Sequence, residues 1–216
     1  GITTMGEIAR ADEELLYRMF GIDAELLIDH AWGREPVTMA DIKAYKPKSN
    51  SISSGQVLGC DYNFEDARLV VKEMADQLCL ELVDKGLVTD SVSLYVGYSN
   101  RSARKADHGT TTMTVTTSSA RQIIAYTVRL YERITDRYTP VHRLNLSFNN
   151  VVDEAYQQYD LFTDPAELER EHRMQKAMLA IKEKFGKNAI LKGMDLQKGA
   201  TAMERNRQIG GHKSGV

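Results

Sequence analysis

Between residues 51 and 152, segments that alternate with a period of two residues are interleaved with two long segments of helical period. "SVSLYVGYS" sets Val92, Leu94, Val96 and Tyr98 on one side, the pattern of a half-buried strand. "GTTTMTVTTSS" places Met113 and Val115 opposite Thr112, Thr114 and Thr116, and "HRLNLSFNNVV" sends Leu144, Leu146 and Phe148 inward and Arg143, Asn145 and Ser147 outward. "SISSGQVL" reads as a further strand ahead of them. Two stripes at helical spacing complete the set. One is Ala67, Val70, Val71, Met74, Leu78, Leu82 and Val83; the other is Ile123, Ile124, Val128, Tyr131 and Ile134. The resulting order, β-α-β-β-α-β, implies an α+β domain of the ferredoxin-like kind, with four strands and both helices on one sheet face. The opposite face is left to hydroxyls, amides and an arginine. Solvation alone accounts for such a face, because antiparallel sheets commonly keep one side wet.

The flanks differ from this core. Residues 1–35 read as short helices. Thr4 is placed to cap the first, with Glu7 completing a capping box. Asp12 caps a second, whose stripe is Leu15, Leu16, Met19 and Phe20 and whose stop is Gly21; Asp23 and Gly33 bracket a third. Trp32 is expected to pack within this helical unit. Residues 36–50 have no sustained period and read as a linker with a positive cast from its lysines. Residues 153–216 open a tail whose one clear helix has Asp164 as cap, Pro165 in the first turn and Gly186 as stop. From Ala166 onward the tail holds 11 Lys or Arg against 6 Asp or Glu.

Composition narrows the classes of function. No apolar run in the 216 residues is long enough to span a bilayer, so a membrane partner is not expected. Cys60 and Cys79 are the only cysteines and form no CxxC spacing, and the five histidines are dispersed. No metal site is expected from them. The acidic groups Glu13–Glu14 and Glu167, Glu169 and Glu171 fall on expected helix surfaces.

Three peptides together resemble one family, the Y-family translesion DNA polymerases of the UmuC-like branch. "GITTMGEIA" resembles the second half of a thumb helix-hairpin-helix. "KPKSNSISSGQVL" resembles the run into the first strand of the little-finger domain, and "RNRQIGGHKSG" resembles the C-terminus of Gram-positive members. A Gly-Ile-x-Thr turn normally follows a helix and none precedes it, so the chain reads as the later part of a longer protein. The resemblance implies a thumb remnant over 1–35, a little finger over 51–152 and a clamp-binding peptide, helix and basic tail over 153–216. The implied setting is cytoplasmic, in bacterial damage tolerance.

The palm carboxylates that hold Mg2+ and the incoming dNTP would lie upstream of the Gly-Ile turn. This portion is therefore expected to be non-catalytic and to need no cofactor. Its implied partner is primer–template DNA, gripped at phosphates without reading sequence. The candidate contacts are Lys48, Ser51, Ser53, Ser54, Thr112, Thr114, Thr116, Arg143, Asn145 and Ser147, with Arg101, Arg104 and Lys105 on the longest hairpin. The second implied partner is a sliding clamp. Gln158, Tyr159, Asp160, Leu161 and Phe162 match the Gln-x-x-Leu-Phe peptide common among bacterial clamp ligands, in which two apolar anchors enter a pocket. Other functions use the same scaffold. An RNA-binding module is one, although the central strands lack a stacking aromatic pair; a small-molecule regulatory or oligomerisation domain is another.

Overall fold

The structure, a computed structural model, describes residues 2–35, 37–45, 50–159 and 164–208. It divides into two compact units, 1–48 and 49–216.

The first unit holds α1 (Met5–Ile8), α2 (Glu13–Phe20), α3 (Asp23–Ala31) and α4 (Met39–Ala44). The Thr4–Glu7 capping box forms, and the Asp12 carboxylate accepts from the Glu14 N–H at 2.9 Å. Gly21 and Gly33 end their helices at φ of 61° and 72°, where a side chain would be strained. Asp23 is the first residue of α3 rather than its cap; Ile22 holds the cap position without a side-chain bond. The short α4 forms inside the expected linker because Thr38 and Asp41 make a reciprocal capping box, which fixes a turn without apolar periodicity. Of the α2 stripe only Leu16 is buried; Leu15, Met19 and Phe20 are exposed, and so is Trp32, contrary to its expected packing.

The second unit contains the α+β domain: β1 (Ile52–Tyr62), α5 (Phe64–Asp84), β2 (Leu87–Tyr98), β3 (Asp107–Thr117), α6 (Ala120–Ile134) and β4 (Val141–Asn149). The strands form an antiparallel sheet in the order β1-β4-β2-β3, and β5 (Val152–Asp153) pairs with the start of β2. Asn63 caps α5 and Ser119 caps α6. Both helices pack on one side of the sheet, as the alternation demands. On that side Ile52, Phe148 and Val92 share a row, and Leu146 with Leu94 and Leu144 with Val96 make the next two. Tyr131 is wholly buried, and its hydroxyl donates to the Phe64 carbonyl at 2.9 Å.

Beyond β5 the chain is more organised than a basic tail. The helix α7 (Pro165–Phe185) lies on α5 and reaches the start of α6. Its Glu171 accepts from the Ser119 hydroxyl at 2.6 Å and the Arg121 N–H at 2.9 Å. The segment after Gly186, ending in α8 (Ala202–Arg205), then straps α5 through polar contacts. Lys192 pairs with the buried Asp76. Buried Glu73 accepts from the backbone N–H groups of Thr201 and Ala202 at 2.8 and 3.2 Å. Arg205 reaches Gln56 Oε1 at 2.8 Å and Ser54 Oγ at 3.2 Å. Burial pushes the Glu73 and Asp76 carboxyls above their ordinary values, against the donors that surround them.

Candidate nucleic-acid interface

The sheet face away from α5 and α6 is read off the strand registers. One row across β1-β4-β2-β3 is Ser53, Ser147, Ser93 and Thr110; the next is Gly55, Asn145, Tyr95 and His108. A third is Val57, Arg143 and Gly97, and at the other end stand Asn149, Ser91 and Thr112. None of the chain's 30 Asp and Glu residues falls in these rows. Hydroxyls and amides link across strands: Asn149 Nδ2 donates to Ser93 Oγ at 2.8 Å, and Ser93 Oγ lies 2.8 Å from Thr110 Oγ1. Four strands about 4.8 Å apart span roughly 15 Å, enough to reach the backbones on both sides of a major groove about 12 Å wide.

Five of the candidate contacts, Ser53, Thr112, Arg143, Asn145 and Ser147, meet on this face. Ser51 is exposed just ahead of β1. Ser54 is not on it: one residue along from Ser53, it shares a row with Leu146 on the helix side and is held by Arg205. Thr114 is exposed beyond the buried Met113, as the alternation expects, whereas Thr116 is half-buried and the alternation is lost after Thr114. The β2–β3 register jumps between Thr112 opposite Ser91 and Thr117 opposite Thr89, a bulge that leaves the intervening β3 residues without a partner on β2. Thr114 and Thr116 therefore fall outside the paired rows, and Thr114 borders a shallow cleft beside α6. Lys48 lies outside the described residues.

The β2–β3 hairpin carries less free charge than its sequence suggests. Arg104 folds back to pair with Asp107 at 2.8 Å and Asp136 at 3.3 Å, its guanidinium over the Tyr98 ring. Asp107 and Asp136 are correspondingly held below their ordinary values; donors from Tyr98 and Arg104 outweigh burial at Asp107, and the Tyr138 N–H leads at Asp136. Arg101 and Lys105 remain exposed.

Gln158 and Tyr159 emerge exposed after a 3-10 turn at Glu154–Tyr156. The Gln158 N–H donates to the Thr116 carbonyl at 2.9 Å, and its side chain meets the Thr116 hydroxyl at 3.4 Å. Asp160, Leu161 and Phe162 lie outside the described residues.

Ser93, Tyr95, His108 and Thr110 belong to the face and were not among the sequence candidates. The signal was present: once Val92, Leu94 and Val96 are assigned inward, strand parity places Ser93 and Tyr95 outward. Among the described residues no three His, Cys, Asp or Glu side chains gather as a metal ligand set, and no helix is long and apolar enough to cross a membrane.

A helix-backed antiparallel sheet whose open-face rows hold hydroxyls and amides and no carboxylate defines the class: an α+β domain with both helices on one sheet face. Residues 49–161 match the impB/mucB/samB family C-terminal domain, and the chain belongs to that family. It is 28% identical over 216 residues to UvrX of Bacillus subtilis, whose name refers to UV-damage repair, covering 99% of this chain and 50% of that protein. DNA polymerase IV 2 of Halalkalibacterium halodurans is 27% identical over 213 residues, with 98% and 51% covered. DNA polymerase IV of Pelotomaculum thermopropionicum is 26% identical over 211 residues, with 94% and 49% covered. The chain thus spans about half the length of the curated relatives it matches.

Proposed function

We propose that this chain is the DNA-gripping and clamp-tethering part of a Y-family translesion DNA polymerase acting in damage tolerance. The observation that carries the reading is the open face, where Arg143 and a field of hydroxyl and amide donors stand with no carboxylate among them. Such a face suits a polyanion whose sequence must not matter, because phosphate contacts position a protein without specifying bases. The names of the relatives, polymerases and a UV-damage repair protein, support the same assignment.

The two-metal chemistry of polymerisation does not fit the residues of this chain. Glu167 pairs with Arg121, Glu171 is occupied by Ser119 and Arg121, and no carboxylate cluster forms among the described residues. This portion supplies grip and tethering, and the chemistry belongs to other residues of the polymerase.

Fluorescence-anisotropy titration of the chain with primer–template DNA at two salt concentrations tests the grip. Binding should weaken steeply as salt rises, and no binding at either salt would sink the assignment. For the tether, the double variant Leu161→Ala/Phe162→Ala should lose affinity for a bacterial sliding clamp while its urea midpoint stays in place. A large loss of stability with clamp affinity intact would instead assign those side chains to the chain's own fold.

A further inference from the structure

Tyr95 stands out on the open face. It is the one Phe, Tyr or Trp in the rows of hydroxyls and amides, it sits on the inner strand β2, and it is 39% exposed. Asn145 of β4 and His108 of β3 are its lateral partners. Along its own strand the outward neighbour is Gly97, where an added Cβ would fall 3.3 Å from the Tyr95 ring and 3.1 Å from the Arg143 Cβ. The ring therefore leans along β2 into space that a glycine leaves open, toward Arg143. Beside it Ser93, His108, Thr110, Asn145 and Ser147 line a shallow depression.

Phosphate contact explains Arg143 and the hydroxyls but gives no use for this ring. A phenol ring adds nothing to a phosphate that serine and threonine do not. Its π face matches a nucleobase, and stacking on sheet aromatics is how open β faces hold single strands. An adjacent amide pairs with the donor and acceptor groups of a base edge, and an arginine nearby suits the flanking phosphate. Inside a duplex both faces of each base are already stacked, so a platform of this kind is matched by an unpaired base.

We propose that Tyr95, flanked by Asn145 and His108, is a stacking platform for one unpaired nucleobase of a DNA strand. The proposal rests on the DNA-binding reading of the open face and names a ligand for its centre: single-stranded DNA continuing past a duplex end.

The test compares a blunt duplex with the same duplex carrying a single-stranded thymine overhang, titrated by anisotropy against the whole chain. Tyr95→Ala should weaken the overhang substrate about tenfold and the blunt duplex distinctly less, so that the preference for the overhang is lost, whereas Tyr95→Phe should retain the wild-type preference. With 5-iodouracil in the overhang, photo-cross-linking should map to the Tyr95 peptide. Equal weakening of both substrates, no weakening of the overhang substrate, or a Phe variant as impaired as Ala would overturn the platform. Tighter binding of a uridine RNA overhang would overturn DNA as its ligand. If the wild-type chain binds neither substrate, the broader DNA reading fails. If it binds both and Tyr95→Ala changes neither, only the platform fails.

Discussion

On β4, Leu144, Leu146 and Phe148 are fully buried beneath α5 and α6, while Arg143, Asn145 and Ser147, one residue along in each case, face the open side. The helix side carries many carboxylates, and those nearest the core are partnered: Asp76 has Lys192, Glu171 has Ser119, Glu73 has the start of α8. The open side has no carboxylate in its registered rows, where Arg143 stands between Val57 and Gly97, and Asp61 past the β1 bulge is taken up by His142 and Ser99. The same backbone thus serves two purposes. One face uses charge to fix its own layers together, and the other keeps its charge available.

The sharpest way to break that division is to truncate one side chain on each face of β4. Phe148→Ala removes a ring with no exposed surface from the middle of the core and should destabilise by about 3–5 kcal/mol. Ser147→Ala should stay within about 0.5 kcal/mol. Urea unfolding followed by circular dichroism measures both. A Ser147 variant as damaging as the Phe148 variant would mean that the open face is structural.

This division was legible in the sequence because it follows strand parity, a local property. Leu144, Leu146 and Phe148 against Arg143, Asn145 and Ser147 needs only the alternation of β4. The misplaced candidates fail where the pattern stops being local. Thr116 lies where a bulge, which only the β2–β3 pairing reveals, ends the alternation that still holds at Thr114. Ser54 and Gln56 occupy the rows of Leu146 and Leu144, polar residues on what parity makes the core side. They mark an edge completed by Arg205, 149 residues from Gln56 and 151 from Ser54 in sequence. The strap reads as part of a basic tail in the sequence for a related reason: it docks through Lys192, Thr201 and Arg205 rather than through an apolar stripe, so no periodicity announces it. Arg104 counts as free charge in the sequence, and only the fold brings Asp136 to it.

A smaller effect separates the strap from the ion pairs elsewhere. Glu73 and Asp76 have folded pKa values raised above their unfolded ones, chiefly by burial. Their protonation therefore favours the folded state. The contribution is fully present below the unfolded pKa and is lost as pH rises through the folded pKa. Asp61, Asp107 and Asp136 are shifted down, so what they contribute is present above their unfolded pKa and lost as pH falls through the folded value. The double variant Glu73→Gln/Asp76→Asn cannot gain from protonation at these positions. The stability of wild type relative to this variant should increase as pH is lowered from neutral toward the ordinary carboxylate range, as read from urea midpoints at several pH values. A difference that shrinks on acidification would show that the pairing with Lys192 outweighs burial, and the strap would then be held by charge as the hairpin is.

The finest test concerns two arginines that look equivalent in the sequence. Arg143 stands on the open face opposite Val57 and Gly97, whereas Arg104 is folded onto Asp107, Asp136 and the Tyr98 ring. Each substitution to Ala removes one positive charge, so an explanation based on net charge predicts the same loss of DNA affinity from both. The geometry predicts otherwise. A cation that neutralises one phosphate contributes about 0.9 to the slope of log affinity against log salt. Arg143→Ala should lower that slope by about this amount and weaken binding similarly for all duplex sequences. Arg104 is already compensated by carboxylates and releases no counterion on binding, so Arg104→Ala should leave the slope unchanged. Equal slopes for the two variants would place the contact in the protein's overall field rather than on the sheet, because a diffuse field is indifferent to which arginine supplies the charge.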